Sequence, residues 1–295
     1  MKNWYRTIFL LLALVSACSI DGNEGTPEDL KLINQGNVVL DLSDIDYYDF
    51  STHVVYLKEN NRLKGDFDQL HGANLVVNGS EIYPLKIHDL YSSAMPVGPH
   101  IQSLIDNFGD FAFRISFSDF PDGFGSSIQD PRADARIKSA LKKHHKYRAG
   151  LSLEAESILR QGNQIKLKIK IRNLDSQNYY FLDPNKMGDA LFHYFTNGLV
   201  FFDPQEMEYQ QNKVKHEQPE SIQFWSLDWM SVIKGKESKT FEFTYPFENV
   251  PTGRDLKFSF FFPSPERSIQ LGSDLDQQNG RIWLGNVGLE WTKKF

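Results

Sequence analysis

Ile165-Lys-Leu-Lys-Ile-Lys-Ile-Arg172 alternates without a break. Ile165, Leu167, Ile169 and Ile171 fall on one side of an extended chain, and Lys166, Lys168, Lys170 and Arg172 on the other. Such alternation marks a strand with one face on a core and one in water. On either side of it, Leu151-Ser-Leu-Glu-Ala-Glu156 and Phe241-Glu-Phe-Thr-Tyr245 repeat the pattern. Residues 256–262 are more heavily apolar and read as a central strand. Three Asn-Gly pairs, Asn78-Gly79, Asn197-Gly198 and Asn279-Gly280, sit between apolar runs. Asn-Gly supplies the positive φ angles of a type I′ turn, so each is a hairpin signal.

One segment departs from this texture. Asp130-Pro131-Arg-Ala-Asp-Ala-Arg-Ile-Lys-Ser-Ala-Leu-Lys-Lys-His-His-Lys146 reads as a helix. Asp130 can cap it, Pro131 suits its first turn, and Ala133, Ile137, Ala140 and Leu141 form an apolar stripe. Its basic end, residues 142–146, lies where cations favour the helix dipole; an anionic-ligand site is the alternative.

The chain is placed as mainly β, with two β-rich domains and one helix near their boundary. Residues 38–147 form an N-terminal domain, a small β-sandwich or α+β unit with loops at 92–99 and 119–127. Residues 148–295 hold seven or more strands, enough for an immunoglobulin-like β-sandwich without its disulfide. The order strand, Gly-Asn turn, strand, Asn-rich turn over residues 151–175 is that of such modules.

Composition narrows the function. The 295 residues carry 32 Lys and Arg against 38 Asp and Glu, a net charge of −6. This argues against nonspecific nucleic-acid binding, which needs a cationic surface. The length suits two ordinary domains or one large one. A single cysteine excludes an internal disulfide framework and Cys-rich metal centres.

The N-terminus opens with Lys2 and Arg6, an apolar run over residues 8–15 and small residues at Ser16 and Ala17. This is the anatomy of a secretory signal peptide, too short to be a spanning helix. Val15-Ser16-Ala17-Cys18 resembles the bacterial lipobox. That resemblance implies cleavage after residue 17 and acylation of Cys18, with residues 18–37 as a flexible tether. It also implies a location in the cell envelope, and Ser19 is compatible with sorting to the outer membrane. Cys18 would then be consumed as a thioether. The texture, the lipobox and the phrases Tyr179-Tyr-Phe-Leu-Asp-Pro-Asn-Lys-Met-Gly188 and Phe192-His-Tyr-Phe-Thr-Asn-Gly198 resemble uncharacterised surface lipoproteins of Bacteroidetes. The family implies envelope function, often glycan handling or adhesion, and brings no catalytic residue.

Catalytic motifs are wanting. Gly125-Ser126-Ser127 is not a nucleophile elbow, and Gly123-Phe-Gly125 does not continue as a dinucleotide loop. His144 and His145 are adjacent on the expected helix, so their side chains diverge by about 100°. His193, in what reads as an aromatic strand, is a core histidine before it is a ligand. Asp274, Asp276 and Gln278 echo a calcium loop without its spacing. Asp41, Asp44, Asp46 and Asp49 read as a solvated loop, with a weak calcium site as alternative. Glycoside hydrolysis needs two carboxylates about 5–10 Å apart, which 38 acids neither support nor exclude.

The aromatic lead is Trp225 and Trp229. On a strand they share one face about 13 Å apart, a spacing suited to stacking on alternate sugars; core packing is the competing reading. Trp283 and Trp291 read as core. The expectation is a non-catalytic, lipid-anchored surface protein that binds a polysaccharide or an envelope protein, with no cofactor, no metal ion and no nucleic acid. An adhesive, fimbrial-type subunit and a glycan hydrolase stand behind it.

Overall fold

The computed structural model describes residues 29–89, 91–103, 105–119, 129–218, 226–263, 265 and 280–295. The leader, Cys18, Gly123 to Ser127, Trp225 and Asp274 to Asn279 lie outside the described residues.

The N-terminal half begins with β1 (Leu30–Asn34), β2 (Asn37–Asp41), β3 (Ile45–Asp49) and β4 (Val54–Leu57). β5 (Asn74–Val77), β6 (Ser80–Pro84) and β7 (Lys86–His88) follow, then β8 (Gly98–Gln102), β9 (Ala112–Arg114) and β10 (Ser116–Ser118). β1 corrects the expected tether, which overruns by several residues. Leu30 and Leu32 are buried on either side of Lys31, and Gln35-Gly36, at φ 49° and 82°, turns the chain into β2. Asn78-Gly79 makes the expected hairpin, at φ 53° and 77°, between the paired residues Val77 and Ser80. The loop expected over 92–99 stops earlier, because Gly98 and Pro99 already pair with β10.

The expected helix is present but starts later. Pro131–Ala133 is a single 3-10 turn capped by Asp130, and Asp134 caps α1 (Ala135–Lys143). Ile137, Ala140 and Leu141 enter the core as read, whereas Ala133, ahead of the helix, is exposed. A short strand β11 (Tyr147–Arg148) then runs parallel to β3.

The C-terminal half is built from β12 (Leu151–Gln161) and β13 (Gln164–Asn173), joined at Gly162-Asn163, followed by β14 (Tyr179–Leu182). Two short helices, α2 (Pro184–Met187) and α3 (Asp189–Thr196), lead to β15 (Leu199–Asp203) and β16 (Glu208–Gln211). β17 (Met230–Ile233), β18 (Ser238–Pro246), β19 (Asp255–Phe262), β20 (Arg281–Ile282) and β21 (Val287–Lys294) complete it. Sheet β12-β13-β18 faces sheet β16-β15-β19-β21, while β17-β14-β20 forms a third, smaller sheet. Leaving the third sheet aside, the first, second and fifth strands oppose the others, as two antiparallel sheets of a β-sandwich. β19 is central in its sheet, as its apolar content requires.

The alternation of β13 is realised in full. Ile165, Leu167, Ile169 and Ile171 are buried against Phe181, Phe241, Phe243 and Phe262 in one continuous core. On the outer face Lys168 pairs with Glu156 (3.3 Å) and Lys170 with Glu154 (3.1 Å) on β12. Asn197-Gly198 is not a hairpin. Asn197, at φ 56°, sends its N–H to the His193 carbonyl and ends α3, as a left-handed C-terminal cap does. Among the described residues no helix is long and apolar enough to cross a membrane.

The two halves meet through sheet β11-β3-β4-β9. β4 is buried along its whole length, and its residues alternate between two cores. Val54 and Tyr56 belong to the core of the C-terminal half, Val55 and Leu57 to that of the N-terminal half. On β9, Ala112 and Phe113 divide in the same way, as do Tyr47 and Tyr48 on β3. A strand reading as an unbroken apolar run is what burial on both faces demands.

Candidate functional site

The edge of this shared sheet opens into a concavity of about 440 Å³, lined by Lys142, His145, Tyr147, Arg148, Asp175, Ser176 and Lys236. Three segments supply it. The C-terminal turn of α1 ends at His144, and His145, at φ 58°, redirects the chain into β11. The loop after β13 brings Asp175 and Ser176. The turn between β17 and β18 brings Lys236, at φ 65°.

Backbone contacts hold the segments together. The Asp175 carboxylate accepts the N–H groups of Ala149 (2.9 Å) and Gly150 (2.8 Å) and the Tyr179 hydroxyl (2.7 Å). The Gly235 N–H reaches Asn178 Oδ1 (3.0 Å), and the Lys236 N–H the Asp175 carbonyl (2.9 Å). Gly235 must be glycine here, since a Cβ would collide with the Ser176 carbonyl oxygen.

The cleft is positively charged: Lys142, Arg148 and Lys236 face a single carboxylate. The Arg148 guanidinium lies 5.6 Å from the Tyr47 ring and donates to Gln177 Oε1 (3.1 Å) and to the carbonyls of His145 (3.1 Å) and Tyr147 (2.9 Å). Lys142 Nζ lies 5.2 Å over the Tyr147 ring, and Lys236 Nζ donates to the Leu174 carbonyl. The basic stretch after α1, legible in sequence as a dipole-favoured end, is therefore also one wall of a cavity. The opposite wall comes from residues about 30 and 90 positions further on, whose turns carried no distinguishing motif.

The aromatic pair is placed differently from expectation. Trp229 sits in a 3-10 turn, Leu227–Trp229, not on a strand. It is half-buried on the core, 6.0 Å from Phe195, and Trp225 is outside the described residues. Trp283 is buried, and Trp291 stacks on Phe258 at 5.7 Å.

The acidic group near the N-terminus is neither a solvated loop nor a cluster. Asp41 pairs with Arg62 (2.6 Å), and buried Asp44 accepts the Asp41 and Arg62 N–H groups. Asp46 lies 3.8 Å from Arg281. Asp49 is wholly buried at the junction of the halves, where desolvation raises its pKa. Among the described residues no group of three His, Cys, Asp or Glu could hold a metal ion. His193 is on α3 and not on a strand; it is buried and stacked on Tyr245 at 4.9 Å. Burial pulls its pKa down to about 4.

A second concavity of about 500 Å³ lies at one end of the sandwich, with Asp203, Glu206, Glu208, Arg160 and Arg254 in its lining. Arg254 binds both Asp203 (3.0 Å) and Glu206 (2.7 Å). Desolvation raises the Asp203 carboxyl, but the Gln205 N–H and Arg254 outweigh it and hold it below the usual carboxylate range.

Comparison with protein-family models, with curated proteins and with solved structures gives no match.

Proposed function

We propose that the protein is a non-catalytic, lipid-anchored component of the cell envelope that binds a polysaccharide in the cleft between its two β halves. The cleft itself carries this reading: a preformed, polar concavity with an aromatic and several hydrogen-bonding side chains, built on a sheet that both cores immobilise. Rigid placement lowers the ordering cost of binding. The lipobox-like leader supports anchoring through Cys18, with the outer membrane as the destination.

The test uses the mature chain carrying Cys18→Ser, expressed without its leader and screened on a polysaccharide panel with hydrogen-exchange mapping. Binding that protects residues 145–148 and 174–176 is expected. Binding mapped elsewhere, or none, rejects the reading. Anchoring is checked by the intact mass from the native host, where a free Cys18 thiol would remove it.

An adhesive or assembly subunit is the second reading. It is favoured by β16, an edge strand of mostly exposed residues in the four-stranded sheet. Open edges pair with further strands, so concentration-dependent oligomers in light scattering would favour this role.

A further inference from the structure

The charge of the cleft bears on the class of sugar. Resting on the polysaccharide reading, we infer that the cleft selects an anionic saccharide, one bearing a carboxylate or sulfate, which is held by Lys142, Arg148 and Lys236.

Three observations converge. First, the concavity holds three fixed cations and one carboxylate, and that carboxylate, Asp175, already accepts two backbone N–H groups and the Tyr179 hydroxyl. Second, none of the three cations makes an ion pair among the described residues. On a chain with net charge −6, a concavity lined by three cations and one carboxylate is a local reversal of the overall sign. Third, the cations are held in place: Arg148 by three hydrogen bonds and the Tyr47 ring, Lys142 over Tyr147, Lys236 on a turn strapped to Asp175 and Asn178. Fixed donors of one sign favour an anion, through charge-assisted hydrogen bonds and at little ordering cost.

The experiment measures affinity of the mature Cys18→Ser chain for polygalacturonate and its fully methyl-esterified form, and for dextran sulfate and dextran. The acid or sulfated polymer is expected to bind at least about tenfold tighter than its neutral counterpart. Which pair shows the difference identifies carboxylate or sulfate. Lys142→Gln and Lys236→Asn, both at exposed positions, are each expected to weaken binding about threefold to fivefold. Asn tolerates the left-handed backbone at position 236. Both variants should keep the parent thermal midpoint. Raising NaCl from about 0.05 to 0.5 M should weaken binding further. Equal affinity for charged and neutral polymers, with no effect of either substitution, overturns the inference and leaves the polysaccharide reading standing. Lysine-dependent binding of poly-glutamate with no binding of any of the four polymers overturns both.

Discussion

The Trp283 indole N–H donates to the Asp49 carboxylate at 3.0 Å, deep in the junction between the two halves. The other Asp49 oxygen accepts the Ser51 N–H (2.9 Å) and hydroxyl (2.6 Å). Alongside, the Tyr56 hydroxyl donates to the Ile282 carbonyl and accepts the Leu284 N–H, and Arg114 donates to the Leu284 carbonyl. Residues 282–284 are thus gripped by β3, β4 and β9, and this grip keeps the cleft walls in register.

Asp49→Asn is expected to destabilise the protein by about 1–3 kcal/mol. The amide would have to set an N–H against either the buried Trp283 N–H or the part-buried Ser51 N–H, so one donor loses its acceptor in either orientation. Urea unfolding of parent and variant checks this; an unchanged midpoint would show that the clasp contributes nothing.

Stability should fall on acidification through two histidines. Burial pulls the imidazoles of His53 and His193 to about 4, against about 6.5 in the unfolded chain. Between about pH 6.5 and 4 the unfolded state binds more protons, so stability rises with pH there and these groups add no further loss below about 4. The linkage is on the order of 3 kcal/mol for each. His53 Nδ1 lies 3.0 Å from the Tyr48 hydroxyl, and His53→Gln should flatten the pH dependence of the urea midpoint between about 6.5 and 5.

Gly235→Ala should cost about 1–3 kcal/mol by overpacking, because its Cβ would collide with the Ser176 carbonyl oxygen. The turn carrying Lys236 must then move away from the Asp175 loop. Weaker ligand binding together with a lower thermal midpoint is the expected signature, and faster hydrogen exchange at Lys236 localises it.

Trp229→Ala should act on stability and not on ligand. Its side chain is half-buried beside Phe195, so truncation removes apolar contact amounting to about 1–2 kcal/mol. Affinity of the folded variant for polysaccharide is expected to equal that of the parent. A specific loss of affinity at unchanged stability would instead make this tryptophan a contact.

Period-two alternation identifies β12, β13 and β18 and their inner faces, because side-chain direction in a strand is a local property. The same rule applies to β1, where Leu30 and Leu32 flank Lys31 ahead of Gln35-Gly36, but a polar, glycine-containing neighbourhood outweighs five residues of pattern. Asn197-Gly198 shows the converse: positive φ is required equally by a hairpin and by a helix end, and the dipeptide does not distinguish them. His193 reads correctly as a core residue and wrongly as part of a strand, because Phe192-His-Tyr-Phe has apolar residues enough for either periodicity.

The amino-acid sequence alone determined the mainly β texture, a helix beyond Asp130 (though not its later start after Asp134) and the basic stretch at its end, since each depends on neighbours a few residues apart. The tertiary structure decided which face of which strand serves which core, as in β4, where successive residues enter opposite cores. It also decided that Asp49 meets Trp283, 234 residues away, and that Lys142 and Lys236 line one cavity. Alternation says that a side chain is buried, but its partner is chosen by sheet order and by the packing of one half on the other, and those are set by the whole chain at once.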